Sequence, residues 1–358
     1  MARTGYNLRI SYLESNEVLR RPYQKVLLAL VLAAALLLPA GSSNFFVHLM
    51  NLCFLAAIGA LGLMILTGYC GQISLGHAAF LAIGAYTTVI LTLHLNAPFI
   101  VVVPTAAISG AIVGFIVGLP SLRFRGVYLA ISTLAMHYAI IFAATTYQSN
   151  FTRSASAGIT IPDPSIGPFV LKGDLKWYYF LLVVVTLVTI ACVNLMRTQP
   201  GRAWMAIRDR EIAAEALGIN LARYKLLAFM VSSTLASMSG SLMAYYSNVV
   251  TVEAFTLELA VIYVAMIIVG GMGSILGALM GAVFITLLPY GIDTAFEFLP
   301  RSWRFGSTVF GVQVGAVGAC IILFLLFEPK GLAEIWRRIE TYFDRWPFRY
   351  RPLDTVRR

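Results

Sequence analysis

The sequence predicts an all-α, polytopic integral membrane protein of about ten transmembrane helices. Three observations carry that prediction. Of the 358 residues, 59% are hydrophobic and only 12% are charged, where a soluble domain carries about 25% charged residues; mean hydropathy is +0.82. Apolar runs of the length needed to cross a bilayer, about 20 residues, recur along the chain. Lys and Arg concentrate in alternate connecting segments, as the positive-inside rule requires.

Taken in order, candidate spans lie near 26–41, 45–67, 73–95, 98–119, 127–147, 177–196 and 226–247. The apolar stretch 259–290 is too long for one helix, and Gly270, Gly271, Met272, Gly273 and Ser274 interrupt it, so it reads as two short spans. A last span covers 308–327. With both termini cytoplasmic, inside segments hold 21 of the 26 basic residues, and outside segments keep Arg153, Lys172, Lys176, Arg301 and Arg304. The organisation is then a cytoplasmic tail at 1–25, a transmembrane domain at 26–328 with a cytoplasmic loop at 197–225, and a cytoplasmic tail at 329–358. About 25 mostly polar residues precede the first apolar run, which does not read as a cleavable signal peptide.

Composition also excludes function classes. The net charge of +10 is spread over loops and termini rather than gathered on one domain, which argues against nucleic-acid binding. Cys53, Cys70, Cys192 and Cys320 form no CxxC pair, and His48, His77, His94 and His137 lack metal-ligand spacing, so no metal site is expected. No GxxxxGK[ST] phosphate loop is present, so the chain is not itself an ATPase, and no catalytic residue is expected. No Asp, Glu, Lys or Arg lies inside any span as drawn, and Glu258 sits at an edge. Ion-coupled transporters keep such residues in the membrane as relays. Any driving energy should therefore come from outside the spans.

Packing is legible in glycine spacing. Gly110, Gly114 and Gly118 form one small-residue stripe, and Gly273, Gly277 and Gly281 another. Such stripes let a second helix backbone approach closely.

Two segments stand apart. Gly68–Phe80 interrupts two apolar runs with Gly68, Gly71, Gln72, Ser74, Gly76 and His77. It reads equally as a broken helix lining a cavity or as a hairpin turn whose polar groups satisfy its own backbone. Arg197–Lys225 is the one large charged island, with Arg197, Arg202, Arg208, Arg210, Arg223 and Lys225 against Asp209, Glu211 and Glu215. Pro200 suits a helix start, and Gly218-Ile219-Asn220 suits a helix stop. Between them Ala213, Ala214 and Ala216 make a slim helix suited to a groove on another protein; a solvated interfacial helix is the alternative.

The run GRAWMAIRDREIAAEALGINLARYKLLAF resembles the cytoplasmic EAA-type loop of ABC-importer permeases. GLMILTGYCGQISLGHAAFLAIGAY, VGGMGSILGALMGAVF and FEPKGL resemble branched-chain amino acid permeases of the LivM type. The resemblance implies a bacterial inner-membrane importer built from this subunit, a sister permease, two cytoplasmic ATPases that bind the ATP, and a periplasmic binding protein. Glu211–Gly218 would be the coupling helix, with Arg208, Glu211, Ala214, Glu215 and Gly218 as ATPase-coupling residues. Gly71, Gln72, Ser74, Gly76 and His77 are the substrate-pathway candidates. Urea or short-amide permeases share similar motifs, and a stand-alone channel or facilitator is the reading from a different class. The basic tails are expected to meet lipid headgroups or the ATPase surface.

Overall fold

The computed structural model describes residues 43–124, 126–152, 157–166, 169–297, 309–328 and 330–345, with a few helical positions between 30 and 41. The long helices follow the apolar runs. They are α1 (Asn44–Leu63, continued by a π-helical turn Met64–Tyr69), α2 (His77–Leu95), α3 (Phe99–Gly118), α4 (Val127–Thr152), α5 (Asp174–Arg197) and, after two short helices, α8 (Leu221–Ser247). The short helices are α6 (Gln199–Asp209) and α7 (Glu211–Ala216) in the charged island. Then come α9 (Leu257–Gly270), α10 (Ile275–Glu297), α11 (Val309–Phe327) and α12 (Gly331–Arg345).

Among the described residues, seven helices are long and apolar enough to cross a membrane. Leu257–Gly270 and Gly315–Phe324 are shorter apolar helices. The protein is therefore an all-α, multi-pass membrane protein. The first expected span, 26–41, lies partly outside the described residues. The long apolar stretch does divide: α9 stops at Gly270, and α10 starts at Ile275. The helices also overrun the spans drawn from hydropathy. Lys225 sits in the first turns of α8, buried, and Asp174 and Arg197 occupy the end turns of α5.

Helix ends follow local chemistry. Ser43 and Asn220 accept hydrogen bonds from the backbone amides of Phe46 and Arg223, capping α1 and α8. Asn96 and Asn248, in left-handed conformation, end α2 and α8.

Helix α1 is the most deeply buried of the seven, whereas α4 and α5 leave most of their surface outside the bundle. Helix α8 packs across α3, α2 and α1. The Gly110–Gly114–Gly118 stripe receives Ser237, Ser233 and Phe229 of α8, whose spacing of four matches it. The second stripe needs correction. Gly277 and Gly281 meet the α9 backbone at Gly270 and Met266, but Gly273 lies before α10 and faces Arg208 instead.

One end of the bundle is held by hydrogen bonds. Gln148 Oε1 accepts from Tyr86 OH (2.6 Å) and from the Val252 amide (3.0 Å). Asp174 Oδ1 accepts from Tyr246 OH (2.8 Å), and two-residue strands pair Ile159–Thr160 with Val249–Val250. The other end gathers Gly68–Gly76, the charged island, Gly271–Ser274 and the turn into α12. These are the segments that loop charge places on one side, and the candidate site is here.

Candidate functional site

The site begins with a helix that loses its register. Past Leu63 the hydrogen bonds lengthen to π type, with Cys70 N donating to Ile65 O (3.1 Å), and beyond the helix Gln72 N donates six residues back to Leu66 O (3.1 Å). Residues 71–76 are then irregular until α2 starts at His77. The polar side chains of this segment largely satisfy its own backbone. Thr67 Oγ1 donates to Gln72 O (3.0 Å), Ser74 Oγ accepts from Gly76 N (3.3 Å), and Leu75 N donates to Thr133 Oγ1 of α4 (3.1 Å). His77 Nε2 lies 3.0 Å from Gly59 O, and its ring packs edge-on against Tyr263. Gln72 differs: its side-chain oxygen and nitrogen are both buried without a hydrogen-bond partner. An orphaned buried amide is costly, about 1–3 kcal/mol per group.

The second break, Gly271–Ser274, lies against the first. Gly273 N approaches Met64 Sδ at 3.2 Å. Helix α6 sits over both breaks, with Trp204 fully buried and its Nε1 donating to Tyr224 O of α8 (2.8 Å). From the end of α6, Arg208 reaches inward, and its Nη1 donates to Gly68 O (2.6 Å). This carbonyl belongs to the disrupted helix end, where carbonyls lack their usual partners. The guanidinium passes through a slot made by absent side chains. A Cβ on Gly71 would stand 3.0 Å from Arg208 Cγ, and one on Gly273 would collide with Nη1. Both glycines have positive φ, +74° and +86°, where any side chain is strained as well.

Helix α7 is shorter than expected, ending at Ala216. Gly218 is the left-handed residue of a Schellman cap: its amide donates to Glu215 O (2.9 Å), and the Ile219 amide donates to Ala214 O (3.1 Å). Lys225 Nζ lies 2.7 Å from Glu211 Oε1, with side chains 5% and 26% exposed, so this pair ties α7 to α8. The Cys70 thiol is next to it; burial pushes its pKa up to about 12, opposed by the Lys225 charge.

The expected coupling residues therefore divide. Arg208, Glu211 and Ala214 face the bundle, whereas Glu215 and Gly218 are exposed. Of the pathway candidates, Gly71 lines an open cleft of about 640 Å³ with Gly68, Arg208, Ser274, Lys330 and Arg337, while Gln72, Ser74, Gly76 and His77 are buried. Arg337 donates to Glu334 Oε1 (2.8 Å) on the cleft wall, and this hydrogen bond holds the Glu334 carboxyl below the usual carboxylate range. Residue-type reasoning missed Lys225 as the partner of Glu211, because the 13 intervening positions hide the contact. It also passed over Ile212 on α7 and Leu217 just after it, 77% and 81% exposed. Two large apolar residues in a charged island were the available signal. Among the described residues, no cluster of three His, Cys, Asp or Glu could hold a metal.

The described residues form a multi-pass helical bundle with two short helices outside it, α6 held to Gly68 at the first break by Arg208 and α7 held to α8 by Glu211–Lys225. Residues 45–317 match the family described as branched-chain amino acid transport system / permease component, and the chain belongs to that family. It is similar to the high-affinity branched-chain amino acid transport system permease protein LivM of Escherichia coli (strain K12), with 29% identity over 88% of this chain and 76% of that one. It is also similar to the probable branched-chain amino acid transport permease protein LivH of Methanocaldococcus jannaschii, with 27% identity over 74% of this chain and 84% of that one. The fructose import permease protein FrcC of Rhizobium meliloti is 28% identical over 51% of this chain and 52% of its own length. No solved structure matches.

Proposed function

We propose that this chain is one permease subunit of an ATP-driven importer for branched-chain amino acids in a bacterial inner membrane. Its partners are a sister permease, two cytoplasmic ATPases and a periplasmic binding protein. The observation that carries the reading is the seating of α6 and α7. Two short helices outside the spans are fastened to the bundle, α6 by Arg208 to Gly68 at the first break and against Gly273 at the second, and α7 to α8 by Glu211–Lys225, while Ile212 and Leu217 remain exposed. Both termini are cytoplasmic, the tails 1–25 and 329–358 flank the membrane domain, and the charged island faces the ATPases. Ile212, Ala213, Ala216 and Leu217 form the docking face, with Glu215 and Gly218 at its rim. Motion of the ATPases moves α7, Lys225 passes it to α8, and Arg208 passes it to Gly68 and the breaks. The substrate route runs beside the Gly71–His77 break, where the orphaned Gln72 amide is available to a polar solute once the segment moves.

Substrate class follows the extent of similarity, which covers most of the chain for the LivM relative and half of it for FrcC. ATP binds to the partner subunits and not to this chain. The test uses proteoliposomes with the full complex, binding protein and labelled leucine. Uptake should follow internal or external ATP, on the side where the ATPases face, and persist when an uncoupler collapses the pH gradient. Uptake driven by a pH gradient without ATP overturns the assignment.

A further inference from the structure

Helix α12 carries a feature that the transport reading does not use. Leu332, Ile335, Trp336, Ile339 and Tyr342 fall at helical spacings and, at about 100° per residue, share one stripe of about 120°. Trp336, Ile339 and Tyr342 are 37%, 44% and 55% exposed. On the opposite face, Glu334 and Arg337 line the cleft under Arg208. The helix starts just beyond the apolar helix α11. Leu326 and Phe327 close α11 with exposed apolar side chains, and Gly331 N donates to Glu328 O (2.8 Å) where the chain enters α12. The backbone of Gly331 then abuts the second break: a Cβ there would stand 2.5 Å from Gly271 N and 2.6 Å from Val269 O.

We propose that α12 docks on the surface of the bilayer that the chain itself spans, with Trp336, Ile339 and Tyr342 at the boundary of headgroups and acyl chains. Its contact at Gly271 then fixes the second break at the level of the membrane surface. The exposed stripe follows within a few residues of the exposed apolar end of α11, Leu326 and Phe327, which makes lipid the occupant, and aromatic residues favour that boundary. Charge decides what kind of lipid surface. Residues 328–345 hold four basic and four acidic residues. Arg337 is paired with Glu334 (2.8 Å) and Arg338 with Glu328 (2.6 Å). A helix neutral overall, with these arginines already paired, gains little from anionic headgroups. The attachment therefore rests on apolar insertion and holds on neutral lipid and at high salt. The inference depends on the membrane-spanning fold and not on the importer reading.

The test uses the full-length chain in nanodiscs, with and without the ATPase subunits. Trp336 emission is isolated as the difference between wild type and Trp336→Phe; the other described tryptophans, Trp177 and Trp204, are buried. Lipid brominated near the headgroup should quench the Trp336 component, aqueous iodide should not, and neither result should change with anionic lipid, salt or added ATPase subunits. Ile339→Glu should reverse the pattern, making Trp336 accessible to iodide. Quenching by iodide without quenching by brominated lipid in the wild type overturns the proposal. So does protection that appears only with the ATPase subunits, which would make α12 a protein-docking helix, or an unchanged pattern in Ile339→Glu.

Discussion

The Glu211–Lys225 pair offers the sharpest test of how α7 is held. In Glu211→Ala, Lys225 keeps a charge in a site where its side chain is 5% exposed. Breaking a buried pair from one side costs about 3–5 kcal/mol. Glu211 is 26% exposed, so solvent screening lowers the expected loss to about 2 kcal/mol. The apolar attachment of α7 cannot make this up, since the one buried methyl, on Ala214, contributes about 0.8 kcal/mol. A loss of about 2 kcal/mol raises the population with α7 released roughly thirty-fold. Cys70 reports on that release. Its thiol is buried beside both charges with a pKa of about 12, so at pH 8 it is neutral and barely reactive while α7 is seated. Because the Glu211 charge itself raises the thiol pKa, alkylation of Cys70 is compared at equal thiolate fraction against a Cys70→Ser control, and should accelerate by about tenfold or more in Glu211→Ala. The double variant Glu211→Leu/Lys225→Met removes both charges and should return the rate close to that of wild type. If Glu211→Ala reacts no faster than wild type, or the double variant reacts as fast as the single, the ion pair does not hold the helix.

Three further outcomes are expected. Gly273→Ala places a methyl against Arg208 Nη1 at a φ of +86°, so leucine uptake per ATP hydrolysed should fall several-fold while assembly persists; a normal ratio removes Arg208 from the transmission path. Gly218→Trp forces a bulky side chain into the left-handed cap of α7, a strain of about 1–2 kcal/mol, with open space around it. Membrane levels should be normal and uptake lost, and unchanged uptake would count against docking through α7. Gly114→Val drives a branched side chain into Ser233 of α8, where overpacking costs about 1–3 kcal/mol or more. The thermal midpoint of the purified protein should drop, and an unchanged midpoint would show that the α3–α8 contact is not close-packed.

The membrane class, the order of the helices and the split of the long apolar stretch at Gly270–Ser274 were all readable in the chain. They depend on hydropathy, length and backbone-breaking residues, which act locally. The helix stop at Gly218 was readable for the same reason, as was the interruption after Gly68. Sequence alone could not say what the interruption touches, because contacts between distant segments leave no periodic trace. Tertiary packing brought Arg208 to Gly68 across 140 positions and set Gly71 and Gly273 on either side of it. Packing also turned Glu211 and Ala214 toward the bundle, paired Glu211 with Lys225, and left Ile212 and Leu217 as the outward face of α7. Helical spacing identifies which residues share a face. Which face meets the bundle is decided by where a buried cation finds its carboxylate and where a guanidinium finds an open carbonyl, and both depend on the assembled fold.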